Sequence, residues 1–155
     1  MSKRVVNLYS DGSCLGNPGR GGYGTILEYR GVKKELSMGY VKTTNNRMEI
    51  MGVISGLSAL VADDLLVNVY TDSEYVVNTI SKGWLFNWTR AKDFAGKKNE
   101  DLWRMMIPLL EKHEVRMHWI KGHAGHEMNE RCDVLAKAAA GDVKNLYMDK
   151  GYLDH

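Results

Sequence analysis

Cysteine is scarce in this chain: 155 residues contain two, Cys14 and Cys132. Two thiols make no disulfide framework, which sets aside the small stapled secreted scaffolds and points to a reducing compartment. Proline is equally scarce, with only Pro18 and Pro108, and no Pro/Ser-rich or low-complexity tract breaks the chain. One domain over residues 1–155 is the expectation at this length. No apolar run approaches the length of a membrane span. The opening MSKRVVNLYS lacks the apolar stretch and small-residue cleavage site of a secretory leader, so a cytoplasmic location is expected. Neither sign of charge dominates, the net being +2. What is present is ordinary for a globular protein, 44% hydrophobic and 26% charged residues, at a length that can bury a core unaided.

The charge is unevenly distributed. Residues 82–98 hold five basic residues (Lys82, Arg90, Lys92, Lys97, Lys98) and one acidic one (Asp93), a local +4, with Trp84, Phe86, Trp88 and Phe94 interleaved. Cations alternating with aromatics suit phosphates and sugars or bases. They also suit a solvated helix face whose aromatics are core. Both are expected here: Trp84 and Trp88 partly packed, Lys92, Lys97 and Lys98 exposed.

Patterning predicts strands over 5–10, 23–29, 34–41, 65–70 and 115–121, with a hairpin at Arg30 and Gly31. The glycine-rich 16–22 reads as a loop. Helical spacing of Ile50, Val53, Ile54, Leu57, Leu60 and Val61 follows Asn45 and Asn46. Further helices are expected over 74–81, 101–113 and 128–140. Residues 142–155 carry no clear pattern and no assignable role. The order gives an α/β fold: a five-stranded mixed sheet, three strands antiparallel and two parallel, with helices packed on it.

One internal echo carries chemistry. Residues 6–11 (VNLYSD) match 67–72 (VNVYTD) in residue type, position by position. Lying parallel and in register, the two strands would end in Asp11 and Asp72 side by side at their carboxyl ends, with backbones about 4.8 Å apart, where sites form in open α/β sheets. Two carboxylates that close repel unless a proton or a cation lies between them. A divalent metal is the economical answer.

Each carboxylate also has a plainer use. Asp11 in DGS is turn chemistry. Asp72 can cap the following helix. Glu49, three residues after Asn46, can complete a capping box, although Glu49, Gly52 and Gly56 also share a stripe that would let the helix approach the sheet closely. Asp133 can pair with Lys137 one turn on. His123, His126 and Cys132 are close enough to raise a zinc site, but their spacing matches no usual four-ligand pattern.

The conjunction decides. The segments DGSCLGNPGRGGYG (11–24), TTNNRMEIMG (43–52), YTDSEYVVN (70–78), DLW (101–103) and WIKGHAGHEMNERCDVLAKAAA (119–140) resemble bacterial type I ribonuclease H in order and separation, over nearly the whole chain. The resemblance implies a ribonuclease H-like fold with helices on both faces of the sheet. It implies endonucleolytic hydrolysis of the RNA strand of RNA–DNA hybrids, leaving 3′-hydroxyl and 5′-phosphate ends. It also implies two Mg²⁺ ions, with Mn²⁺ able to substitute, on Asp11, Glu49, Asp72 and Asp133. His123 matches the family histidine that moves a proton or aids product release. Asn17, Asn45 and Asn46 fall at the RNA contacts near the cut. Lys42, Thr44 and Asn99 fall where a DNA-strand phosphate is held. The stretch 82–98, with Trp84, Trp88, Lys92, Lys97 and Lys98, matches the family's basic protrusion.

The chain departs from the pattern in places. The protrusion is about four residues shorter between Trp88 and DLW, with Phe94 in place of a tryptophan, which bears on substrate affinity. Glu74, after Asp72 and Ser73, adds a negative charge. No separate hybrid-binding domain like that of longer relatives is expected before the first strand. A monomer without an obligate protein partner is expected, serving primer removal and R-loop clearance. The competing expectations are a non-catalytic hybrid-binding module and an integrase-like strand-transfer enzyme on the same fold.

Overall fold

The computed structural model describes residues 3–121 and 126–153. Its centre is one mixed sheet in the order β5-β4-β1-β2-β3-β6. β1 (Val5–Cys14), β2 (Gly19–Tyr29) and β3 (Val32–Thr43) form the antiparallel meander. Tyr29 pairs with Val32 across a two-residue turn at Arg30 and Gly31. Both turn residues have positive φ, 48° and 81°, the hairpin turn that matches strand twist. β4 (Leu66–Thr71) runs parallel to β1, and β5 (Glu114–Trp119) runs parallel to β4.

The echo of the two strands is an in-register pairing: Val6 lies opposite Val67, Asn7 opposite Asn68, Leu8 opposite Val69 and Tyr9 opposite Tyr70. Like residues therefore stack across the ladder, the Tyr9 and Tyr70 rings at 5.0 Å. Val6, Leu8 and Ser10 are buried on one face together with Val67, Val69 and Thr71.

α1 (Asn45–Ser58) packs on that face. Its glycine stripe permits the approach: a Cβ on Gly56 would fall 2.5 Å from Leu8 Cδ1, and one on Gly52 3.3 Å from Ser10 Cβ. α2 (Glu74–Ser81), α3 (Trp84–Arg90) and α4 (Glu100–Lys112) complete this layer. The main core lies beneath them, with Leu8, Ile50, Val69, Leu85, Phe94, Trp103 and Met106 among its members. α5 (Glu127–Gly141) covers the opposite face. Gly22 and Gly24 of β2 point to it, while Tyr23 and Thr25 lie against α1, as strand alternation requires. A Cβ on Gly24 would collide with the Cys132 carbonyl.

Two expectations need correction. Residues 19–22 are strand, because glycines that read locally as loop are the positions where α5 and β3 come closest to β2. Among the described residues the sheet has six strands, because the segment after α5 contributes one: β6 (Leu146–Tyr147) adds parallel to β3, and α6 (Lys150–Leu153) follows. That segment is anchored by Asp149, whose carboxylate takes the Nε of buried Arg47 at 2.7 Å and the Thr43 hydroxyl at 2.6 Å. Among the described residues, no helix is long and apolar enough to cross a membrane.

Candidate active site

Asp11, Glu49 and Asp72 converge, each offering an oxygen within 4.8 Å of the others'. Three local choices put them there. β1 and β4 deliver Asp11 and Asp72 side by side, as their register requires. Ser73, not Asp72, caps α2, its hydroxyl accepting from Val76 N at 3.2 Å. Thr44, not Asn46, caps α1, its hydroxyl accepting from Arg47 N at 3.3 Å. The capping duties considered for Asp72 and Glu49 are thus carried by hydroxyl residues, and Glu49 lies one turn into α1. Gly12 closes the gap: a Cβ there would lie 2.6 Å from Glu49 N, so any larger residue would push Glu49 away from the strand end.

The electrostatics are those of crowded acids. Asp11 is 3% exposed and Glu49 5%. Burial, then the Asp72 and Asp133 charges, push the Asp11 carboxyl up to about 8. Burial, then Asp11 and Asp72, push Glu49 well above the carboxylate range. The Gly12 backbone pulls both partly back. Glu49 Oε2 is buried with no hydrogen-bond partner among the described residues, and an orphaned carboxylate oxygen among other carboxylates is the donor that a hard cation would satisfy. The residues present therefore fit divalent-metal binding.

Asp133 does two things. It holds Lys137 at 3.0 Å, the ion pair expected one turn apart, and it is hydrogen-bonded to Asp11. It thus stands at the rim of the cluster, on α5, with Lys137 drawing on its charge. Cys132 beside it is buried, its thiol pushed up to about 12 by burial and then by Asp11. His123 lies outside the described residues.

Next to the cluster opens a cleft of about 720 Å³. The loop after β1 contributes Asn17 and Pro18, and the start of α1 contributes Thr44, Asn45 and Asn46. Lys97, Lys98 and Asn99 enter from the segment before α4, and Tyr152 from α6. Thr44 accepts the cap hydrogen bond and keeps its own O–H to donate. Asn99 is oriented from both ends, Oδ1 accepting from Arg47 Nη1 at 3.3 Å and Nδ2 donating to the Tyr75 hydroxyl at 3.2 Å. Lys42 is exposed on β3, outside the cleft lining.

Trp84, Trp88 and Lys92 also lie outside it, on α3 and the 3-10 turn Lys92–Gly96. Trp84 is exposed, and Lys82 stands 5.5 Å over its ring. Trp88 is half-buried edge-to-face on Phe94 and Trp103, with Lys97 5.6 Å over it. Lys92, Lys97 and Lys98 are exposed. The chain after α3 reverses through Asp93, Phe94 and Ala95, all at φ between 52° and 55°, a left-handed path that costs non-glycine residues energy. Burial of Phe94 against the core offsets it.

Sequence reasoning did not single out Arg47, Tyr75, Asp149 or Tyr152. For Arg47 a signal existed: it shares the apolar stripe of Ile50, Ile54 and Leu57, where an arginine is a buried ion pair in waiting. For Asp149 there was none, since its partners Thr43 and Arg47 lie 106 and 102 residues away, and Tyr152 is placed through Asp149.

The chain matches the family model described as RNase H over residues 3–141. It is 49% identical to the ribonuclease H of Nitratidesulfovibrio vulgaris (strain Miyazaki F), across 98% of this chain and 99% of that protein. It is 52% identical to the ribonuclease H of Oleidesulfovibrio alaskensis, across 88% and 91%. Among solved structures it resembles LC9-RNase H1, described as a type 1 RNase H with the type 2 active-site motif, at a TM-score of 0.81 and 32% identity, covering 91% of this chain and 74% of that one. The ribonuclease H-like fold expected from the sequence is thus the fold observed.

Proposed function

The chain belongs to the ribonuclease H family, and from that premise we propose that it is an endonuclease hydrolysing the RNA strand of RNA–DNA hybrids by a two-metal-ion mechanism, leaving 3′-hydroxyl and 5′-phosphate ends. The observation that carries this is the trio Asp11, Glu49 and Asp72, oxygens within 4.8 Å, beside a polar and basic cleft. Asp11, Glu49, Asp72 and Asp133 would hold two Mg²⁺ ions, or Mn²⁺ in their place. When bound, such ions neutralise the phosphate charge, activate the attacking water and stabilise the leaving oxygen.

The chain's own residues supply placement. Asn17, Asn45 and Asn46 offer amides that both donate and accept, matching the RNA 2′-hydroxyl that distinguishes RNA from DNA. The Thr44 hydroxyl, Asn99, Lys97 and Lys98 face the duplex backbone, with Lys42, Lys92, Trp84 and Trp88 extending the contact outward. His123 moves a proton or assists product release. The protein acts as a cytoplasmic monomer, without an obligate protein partner.

The test is a gel assay on hybrid with end-labelled RNA in Mg²⁺, beside lanes with EDTA, RNA duplex and DNA duplex. Metal-dependent fragments are expected from the hybrid alone. Asp72→Asn should lower the rate by on the order of 10³-fold, as loss of a main electrostatic element does, with the fold retained. Intact RNA despite tight hybrid binding would make the protein a binding module. Cut DNA duplex would leave the fold right and the substrate wrong.

A further inference from the structure

The C-terminal segment reaches the cleft, and its last described aromatic side chain has no evident structural duty there. Asp149 is already satisfied by Arg47 and Thr43, and a tail kept only for stability could end at that knot. Instead, the Tyr152 backbone N–H donates back to Asp149, to its carbonyl at 3.1 Å and its carboxylate at 3.4 Å. Half-buried Tyr152 then forms part of the cleft wall with Lys97, Lys98 and Asn99. The seating is close: a Cβ on Gly151 would fall 2.6 Å from Arg47 Nη2. The same guanidinium holds Asn99, so one buried cation fixes both the tail and a polar residue of the cleft.

We propose that Tyr152 is a substrate-contact residue, its ring packing against the sugar–phosphate backbone of the hybrid where Lys97 and Lys98 meet the phosphates. The inference rests on the hybrid-cleaving reading above. An aromatic face beside two exposed ammonium groups is the pairing that binds a nucleic-acid backbone: the cations take the charge, and the ring takes the apolar sugar or base surface. Asp149 and Arg47 act through Tyr152 and Asn99 as positioning residues.

The experiment measures KM, kcat and melting temperature for four variants. Tyr152→Ala should raise KM about tenfold, the scale of one lost stacking contact, with kcat within about twofold. Tyr152→Phe keeps the ring and should match the parent. Tyr152→Glu should raise KM further than Tyr152→Ala, since it repels phosphate; a purely structural role makes the two alike. Tyr147→Ala, exposed on β6 outside the cleft, should change nothing. Hybrids with single acyclic-sugar nucleotides, which remove the apolar sugar surface and keep base and phosphate charge, scanned along either strand, locate the contact. At one or two positions the modification should weaken the parent and not Tyr152→Ala, and the strand carrying those positions is the strand touched. A folded Tyr152→Ala with the parent's KM, or a scan without a Tyr152-dependent position, overturns the proposal while leaving the cleavage reading intact. A parent that neither cuts nor binds hybrid fails the cleavage reading, and this inference with it.

Discussion

Two buried clusters of charge sit two residues apart on the first turns of α1, and they are built on opposite principles. Arg47, 1% exposed, is balanced: Asp149 and Asp101 take its guanidinium at 2.7 and 2.6 Å, and Thr43 and Asn99 complete the network. Glu49 enters a cluster of one sign, with Asp11 and Asp72 beside it, Asp133 close by and an oxygen left without a partner. The first uses its charge to tie the tail and α4 to the helix. The second crowds acids together, which makes their ionisation costly without a metal and creates a place for a cation. Function lies with the second: a buried charge that is paired is architecture, and buried acids crowded together are a site.

Breaking the balanced cluster should cost the most. Arg47→Met leaves the buried Asp149 carboxylate without its cation, for a loss of about 3–5 kcal/mol in urea denaturation. The repelling cluster should respond in the other direction. Asp11→Asn removes a charge that the fold disfavours, so the metal-free variant should be more stable than the parent near pH 8 while losing activity. A drop in stability for both variants would break the contrast.

The pH dependence sharpens it. The folded Asp11 keeps its proton to about pH 8, while the unfolded chain releases it near 4. The native state therefore binds more protons across that interval, and its stability falls as pH rises from 4 to 8. Glu49, displaced in the same direction, adds to the slope. In EDTA the parent should lose on the order of a few kcal/mol over this range relative to Asp11→Asn, since a tenfold change in proton affinity is worth about 1.36 kcal/mol. Mg²⁺ should restore most of it, because the cation stabilises the ionised carboxylates. Melting temperatures at each pH, with and without Mg²⁺, read the effect. Parallel curves for the two proteins would show that Asp11 ionises normally.

How much of this was legible in the sequence depends on how far apart the partners are. The parallel register of β1 and β4 was readable because two six-residue strings repeat in residue type, and it carried Asp11 and Asp72 with it. The glycine stripe on α1 announced the close approach that brings Glu49 in. Asp133 was readable as a Lys137 partner and, through resemblance, as a member of the site; its geometry shows both the ion pair and the contact with Asp11. The Arg47 knot was not readable, because Asp149 lies 102 residues away in a segment without periodicity. Nor was β6, two residues long and without a pattern of its own. The left-handed turn at Asp93, Phe94 and Ala95 was hidden for a related reason: local propensity opposes it, and only burial of Phe94 holds it.

A third buried titratable group extends the contrast with the smallest expected effect. His113, 5% exposed, is neither paired with an opposite charge nor crowded by buried like charges. Its Nδ1 accepts a hydrogen bond from Leu65 N at 3.2 Å, and its Nε2 has no partner among the described residues. Protonation would turn Nδ1 from acceptor into donor against an N–H, so the ring is held neutral by what it bonds as well as by burial. Burial and then Lys112 lower its pKa below 6.5, Asp63 and Asp64 opposing. The unfolded chain takes up a proton as pH falls through 6.5, and the native state resists it. Stability from this residue is therefore complete above 6.5 and declines below, opposite in sign to the Asp11 effect. His113→Gln, which keeps an acceptor for Leu65 N, should flatten the decline below about pH 6.5. An unchanged slope in the variant would mean that His113 protonates in place and that the decline belongs to other groups.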